Sequence, residues 1–401
     1  MAFLNSWQPL DWVNRGGELL ASDPRLAQRL IGRGLRGIPG EPIAYFNLGI
    51  ALHQRGRIAA AIRAYQTCLA LPGAPREQAK NNLAQDLLLA GEFKAGWALY
   101  ENRLKTAKHD NSYFESLAGI AWQGFADPRP MQQLILVAEQ GLGDTLQFCR
   151  LALRLQQQLG IRCLLFCQPA LVPLLQQATD LWRVCAEIPP EAITPQTRWC
   201  PLMSLAQRLG LGSGFIPMAH GYLKAKPELV HTWAERLQRK PGKRLVALHW
   251  QGNPKHEKSL YSRGRSMAFE AWLPLAGLEA VEFVSIQKGA GSEQWRPDAG
   301  LPFVTGQASF NRSMDFLDTA AVLAQCDLLI SADSGVVHLA GALGIPTWVA
   351  LRWIPEWRWL LEGSSSAWYK SVSLFRQPRD GDWRSVVAEM RQTLQGLWGQ
   401  G

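Results

Sequence analysis

Four residues within six positions pose the chemical question: Asp333, Ser334, Gly335 and His338. They stand between an apolar run, Leu328-Leu329-Ile330, and a helix-like segment, and a second apolar run, Thr347 to Leu351, follows Pro346. Strand, tight turn, helix, strand is one unit of a parallel sheet. A helix start carries unsatisfied amides and a partial positive charge, so it attracts anions. Ser334 and Gly335 offer amides, a hydroxyl and room for a phosphate. Asp333 can cap the helix or orient a sugar hydroxyl. His338 falls one turn in, toward the same anion, although a lone histidine on a helix also serves as a packing residue.

Other strand ends carry reactive groups. "EQGLGDTLQF" places Asp144 near a helix start, where it is either a general base or a cap for free amides. Its glycines resemble a dinucleotide fingerprint, but Leu146 stands where the third glycine belongs, which disfavours a nicotinamide oxidoreductase. "HWQGNPKHEKSLYSRGRS" gives a polar loop with Asn253, Lys255, Lys258, Arg263 and Arg265, a possible phosphate or substrate loop. "FVSIQKGAG" puts Gln287, a possible phosphate or substrate contact, and Lys288 at a further strand end, where the plain alternative is a surface turn. No Asp-x-Asp pair lies near these residues, and no His, Cys and carboxylate group has ligand spacing. Neither a metal nor a cofactor is expected.

The elements that must position these groups follow from the chain as a whole. Its 401 residues suggest two or three domains. A net charge of +9, gathered at 235–245 and 253–267, invites a polyanion. Without interleaved aromatics, a compact phosphate ligand fits better than nucleic acid. No apolar run approaches a membrane span. "MAFLNSWQPLDWVNRGG" lacks a basic region before an apolar core, so no signal peptide and a cytoplasmic protein are expected. Seven scattered cysteines suggest neither disulfides nor zinc.

Residues 42–75 read as helix–turn–helix. Tyr45, Leu48, Gly49 and Leu52 line one face, Gly56 marks the turn, and Ala61, Tyr65 and Cys68 line the second helix. The pattern recurs at Leu83, Ala84, Leu87, Gly91, Gly96 and Tyr100, and faintly upstream at Ala27 and Ile31. A period near 34 is the tetratricopeptide signature. From about residue 132 strands and helices alternate in two runs, the second restarting at "RLVALHWQG" and including a helix at "MAFEAWLPLAGL". The expected division is an all-α repeat domain at 1–110, a Rossmann-like domain at 111–228 and a second at 229–401 with a last amphipathic helix.

"GWALYENRL", "EQGLGDTLQF", "WCPLMSLAQRLG", "HWQGNPKHEKS", "SIQKG", "DFLDTAAVLAQCDLLISADSGVVHLAGALGIPTWVAL" and "PEWRWLL", in that order, resemble the tetratricopeptide-linked bacterial glycosyltransferases related to heptosyltransferases. The repeat cap is also reminiscent of O-linked N-acetylglucosamine transferases. This resemblance implies a GT-B α/β fold of two Rossmann-like domains, with the final helix crossing back to the first. It implies metal-independent, inverting transfer from a nucleotide-sugar donor to a protein, glycan or lipid hydroxyl. It implies Asp144 as base, and Asp333, Ser334, Gly335 and His338, joined by Lys288, at the donor diphosphate. The alternative is a non-catalytic interaction protein that keeps a relic transferase fold.

Overall fold

The computed structural model describes residues 7–106, 117–161, 163–177, 182–212, 221–312 and 315–399. They form two compact units. One takes in Met1–Asn111, Gly210–Phe215 and Ile354–Glu362, the other Ser112–Leu209, Ile216–Trp353 and Gly363–Gly401.

The first unit holds three helical hairpins: α1 (Pro9–Glu18) with α2 (Pro24–Leu35), α3 (Pro42–His53) with α4 (Ile58–Ala70), and α5 (Arg76–Leu89) with α6 (Phe93–Tyr100). Proline opens α1, α2 and α3 at the first helical position, where its missing N–H costs nothing. Gly56 and Gly91 make the hairpin turns at φ 68° and 81°, a backbone region that side chains with a Cβ resist. Close approach recurs from hairpin to hairpin. A Cβ on Gly16 would lie 2.5 Å from Ile31, one on Gly49 2.5 Å from Tyr65, and one on Gly96 2.7 Å from Leu88. Between hairpins, His53 Nδ1 and Asp86 Oδ1 pair at 2.7 Å in a buried setting. The segment Ile354–Glu362 closes the far end of this unit. Trp357 packs edge-on against Trp97 and Tyr100, with ring centroids at 5.2 and 5.8 Å.

The second unit holds two parallel sheets. The first contains β1 (Gln133–Val137), β2 (Cys163–Phe166), β3 (Trp182–Cys185) and β4 (Thr197–Pro201), in the order β3-β2-β1-β4, with α7 (Leu142–Leu159) following β1. Leu134 pairs with Cys163, and Leu136 with Cys200. After α8 (Pro227–Leu237), the second sheet contains β5 (Arg244–His249), β6 (Val281–Ser285), β7 (Leu328–Ala332), β8 (Thr347–Leu351) and β9 (Val372–Arg376), in the order β6-β5-β7-β8-β9. Its helices are α9 (Phe316–Leu323), α10 (Gly335–Leu343) and α11 (Trp383–Trp398). All strand pairs are parallel, and the strands are almost wholly apolar because both faces are covered.

Two details differ from expectation. Phe269–Leu275 is a 3₁₀ helix with Pro274 inside it, since proline withholds an N–H and disfavours α geometry in the residue before it. The last helix does not turn its apolar face to the first α/β half. Val386, Val387, Met390 and Leu394 lie in the second half's own core, with Val246, Trp272 and Trp348. Their spacing makes one apolar stripe, which that core is shaped to receive.

Candidate functional site

Parallel strands β1 and β7 each end in a turn that opens a helix. At the start of α7, Asp144 Oδ2 accepts the Gly141 N–H at 2.7 Å. The half-exposed carboxylate therefore caps the helix from its third position. At the start of α10, Ser334 is extended at φ −151°, and its side chain does not cap the first turn. The two starts touch. A Cβ on Gly143 would stand 2.9 Å from Gly335 Cα and 2.9 Å from His338 Cδ2. Each helix start carries about half a positive charge. Two of them meeting at one point make a place that favours an anion.

The Ser334 hydroxyl is turned inward rather than toward the helix amides. It lies 3.1 Å from His249 Nδ1 and 3.4 Å from Ser331 Oγ. Burial pushes His249 down to about 4, so its imidazole is neutral and holds this hydroxyl without adding charge. Asp333 is buried beside it at 7% exposure, and His338 at 6%. His338 Nδ1 meets the Tyr369 hydroxyl at 3.0 Å. The structure thus brings the helix starts that carry Asp144, Ser334, Gly335 and His338 to one junction, with Asp333 buried next to Ser334 in the chain.

The basic loop abuts the same junction at its base. A Cβ on Gly252 would lie 3.9 Å from Ser334 Cβ. Gly252 N–H donates to Ser266 Oγ at 3.0 Å, and Glu257 binds Ser266 in turn. Asn253 Oδ1 accepts from the Lys255 amide at 3.0 Å, which makes it a local cap. Lys255 and Lys258 are exposed, whereas Arg263 and Arg265 are half-buried. Arg265 Nε lies 3.9 Å from Glu257. Arg352 donates to the carbonyls of Arg263, at 2.9 Å, and Tyr261, and so fastens the far side.

Gln287 has a different task from the phosphate contact expected of it. Its Oε1 accepts from the amides of Trp250 and Gln251, both at 3.0 Å, and its Nε2 donates to the carbonyls of Gln251 and Ala290 at 2.8 and 2.6 Å. A buried side-chain amide spent on backbone is a clamp. Lys288 sits in a cavity of its own, about 170 Å³, lined also by Ser285, Gly289, Ser292, Trp295 and Asn311. Its ammonium donates to the Phe310 carbonyl and lies 3.7 Å from the centre of that ring. Burial pushes Lys288 down to about 8. Because this lies below the ordinary lysine value of 10.5, its burial costs stability below about pH 8, and the cost fades as pH rises toward 10.5. An anion paired with Lys288 should therefore bind more weakly at pH 9 than at pH 7. Calorimetry with ADP and UDP at both pH values, on wild type and Lys288→Met, reads this. Equal wild-type affinities would remove Lys288 from the anion site.

Several residues of the junction escape a reading by motif. His249 ends an apolar strand, a signal that was available. Tyr369 and Tyr222 lie outside the motifs, and Arg150 and Arg352 stand just past the ends of two of them. Among the described residues no group of His, Cys, Asp and Glu could hold a metal ion, and no helix is long and apolar enough to cross a membrane.

The start of α10, with its glycine and histidine, has a counterpart among known families. Residues 311–351 match the glycosyltransferase family 9 (heptosyltransferase) model. The family 9 segment spans β7, α10 and β8 and contains Asp333, Ser334, Gly335 and His338, whereas Gly143 and Asp144 lie outside it. The match takes in about a tenth of the chain and lies within the second parallel sheet. Over 393 residues the chain is 26% identical to Protein FlbA of Caulobacter vibrioides, covering 90% of this chain and 62% of that protein. The chain thus spans less than two thirds of this curated relative. Among solved structures it is similar to E. coli ADP-heptose lps heptosyltransferase II, at 12% identity over 66% of this chain and 99% of that one, with a TM-score of 0.44. It is also similar to a Thermobaculum terrenum O-GlcNAc transferase mutant, at 14% identity over 97% and 86%, with a TM-score of 0.31.

Proposed function

We propose that the chain is an inverting, metal-independent glycosyltransferase that moves a sugar from a nucleotide-diphosphate donor to a hydroxyl of a protein, glycan or lipid. The observation that carries this reading is the meeting of two helix starts at Gly143 and Gly335, with His338 against them. In this mechanism the acceptor oxygen attacks the anomeric carbon, and its proton passes to Asp144. The bond from the anomeric carbon to the diphosphate breaks, and its electron pair leaves with the phosphate. The first-turn amides of α10, His338 and the lysines of the 253–265 loop stabilise that growing charge. Preformed electrostatics of this kind commonly supply the largest share of catalysis. We assign the three hairpins as tetratricopeptide repeats that hold the acceptor, and keep the division at 1–110, 111–228 and 229–401.

A nucleoside diphosphate at 100 times its dissociation constant should stabilise the fold by about 2.7 kcal/mol. ADP, UDP and GDP should therefore raise the melting temperature of wild type, while Gly335→Val, which fills the approach to the α10 amides, should abolish the shift. A Gly335→Val protein that is stabilised as strongly as wild type would place the anion elsewhere. Sugar transfer that a chelator abolishes and manganese restores would refute the metal-independent mechanism.

A further inference from the structure

Three arginines of the helical unit line one open cleft. Its volume is about 400 Å³, and its lining is Asp23, Arg25, Arg29 and Arg55. Arg25 and Arg29 lie exposed on consecutive turns of α2, and Arg55 stands half-buried in the turn that follows α3, in the next hairpin. The Arg55 guanidinium donates to the side-chain oxygen of Gln28 on α2, which draws the third arginine across to the other two. For a helix this arrangement is unfavourable. Residues four apart are neighbours on its surface, and like charges there repel. Arg25 also falls in the first turn of α2, where the helix itself is positive and an acid is favoured, yet that turn holds no acid. Other arginines of the same unit are occupied. Arg15 pairs with Glu18 at 2.6 Å, and the Arg33 guanidinium lies 3.9 Å from the centre of the Trp12 ring. Among the described residues, Arg25, Arg29 and Arg55 have neither an ion pair nor a ring contact. Asp23 is the one carboxylate of the lining, and its Oδ1 is engaged by the Leu26 amide at 2.9 Å.

We propose that this cleft docks an extended peptide segment with acidic side chains at alternate positions. The planar fork of arginine matches a carboxylate with two parallel hydrogen bonds. Arg25 and Arg29, four residues apart, are separated by about 6 Å along the helix axis. In an extended chain successive side chains point to opposite faces, so those on one face repeat at about 7 Å. Two same-face carboxylates therefore meet Arg25 and Arg29 in turn, while Arg55 reaches the segment from the neighbouring hairpin. A compact phosphate fits less well, because it occupies one corner of a 400 Å³ space and faces the Asp23 carboxylate. A peptide can turn a backbone amide to that carboxylate instead. Docking of this kind needs neither a nucleotide nor sugar transfer, so it stands apart from the proposed reaction.

The probe is a fluorescein-labelled dodecapeptide of alternating Glu and Ser, titrated with the full chain by fluorescence anisotropy at low salt, where exposed charges are least screened. A second dodecapeptide of Glu-Glu-Ser-Ser repeats has the same composition and charge but places same-face acids twice as far apart, and it should bind more weakly. Arg25→Gln with Arg29→Gln should bind the alternating peptide about tenfold more weakly than wild type, and Arg55→Gln should weaken it too. Arg33→Gln with Arg36→Gln removes as much charge from the same helix and should leave binding unchanged. The melting temperature of the Arg25→Gln, Arg29→Gln protein should equal or exceed that of wild type, because a repelling pair has gone. A lower melting temperature would mark the two arginines as structural and overturn the proposal. So would undiminished binding by that protein, or equal affinity for the two peptides. Phosphatidylglycerol vesicles that bind through Arg25 and Arg29 when neither peptide binds would also overturn it, and would give the surface to a lipid.

Discussion

Asp144→Asn should transfer sugar on the order of a hundred times more slowly than wild type, or slower still, while folding and binding donor almost as before. The carboxylate does two jobs that this substitution separates. It accepts the Gly141 amide at 2.7 Å, and an asparagine oxygen does that about as well. Taking a proton from the acceptor hydroxyl is the job that asparagine cannot do. Melting temperature should therefore change little. ADP and UDP affinity should hold, because in the proposed mechanism the diphosphate rests on α10 rather than on this side chain. Turnover, nucleotide affinity and melting temperature measured on one preparation decide the matter. A variant that folds, binds and transfers at near the wild-type rate would leave Asp144 a cap alone, and the relic reading would gain if wild type transferred nothing either.

Gly143→Ala should damage activity more than a single added methyl suggests. That methyl would stand 2.9 Å from the backbone of Gly335 and 2.9 Å from the His338 ring. Backbone cannot swing aside, so the two helix starts must part. Overpacking of this sort costs about 1–3 kcal/mol, and a misplacement of about 1 Å at a reacting centre costs on the order of a hundredfold in rate. The reciprocal change is a control. A Cβ on Gly335 would lie 3.4 Å from the Gly143 amide, close to ordinary contact. Gly335→Ala should thus keep its melting temperature within a few degrees while Gly143→Ala does not. Equal melting temperatures for the two variants would show that the helix starts do not touch as described.

The strand–turn–helix units were legible because apolar runs of strand length end at glycines and open a helical stripe, as at Leu328–Gly335. The hairpins were legible for a related reason: Gly56, Ala61 and Tyr65 return about 35 residues on as Gly91, Gly96 and Tyr100. Thr197–Pro201 was not, because it opens on Thr197 and Arg198 and ends in proline, so no apolar run marks it. The site was half legible. Asp333, Ser334, Gly335 and His338 share one turn, and turn chemistry is local. The contacts that orient His338 come from Tyr369 and Gly143, which the chain order cannot announce. Gln287 misled for the opposite reason, since a polar side chain at a strand end looks available until its backbone partners are seen.

The strand of chain between β8 and β9 has a consequence for how this protein is made. Trp357 is the lid on Trp97 and Tyr100, yet nearly the whole second unit is synthesised between them. At about 5–20 residues per second, the helices wait on the order of tens of seconds for their last apolar surface to be covered. During that interval an emerging chain carries an open aromatic end, which a chaperone or a second nascent chain can occupy. The helical unit, although its helices are made before most of the second unit, is finished only after it.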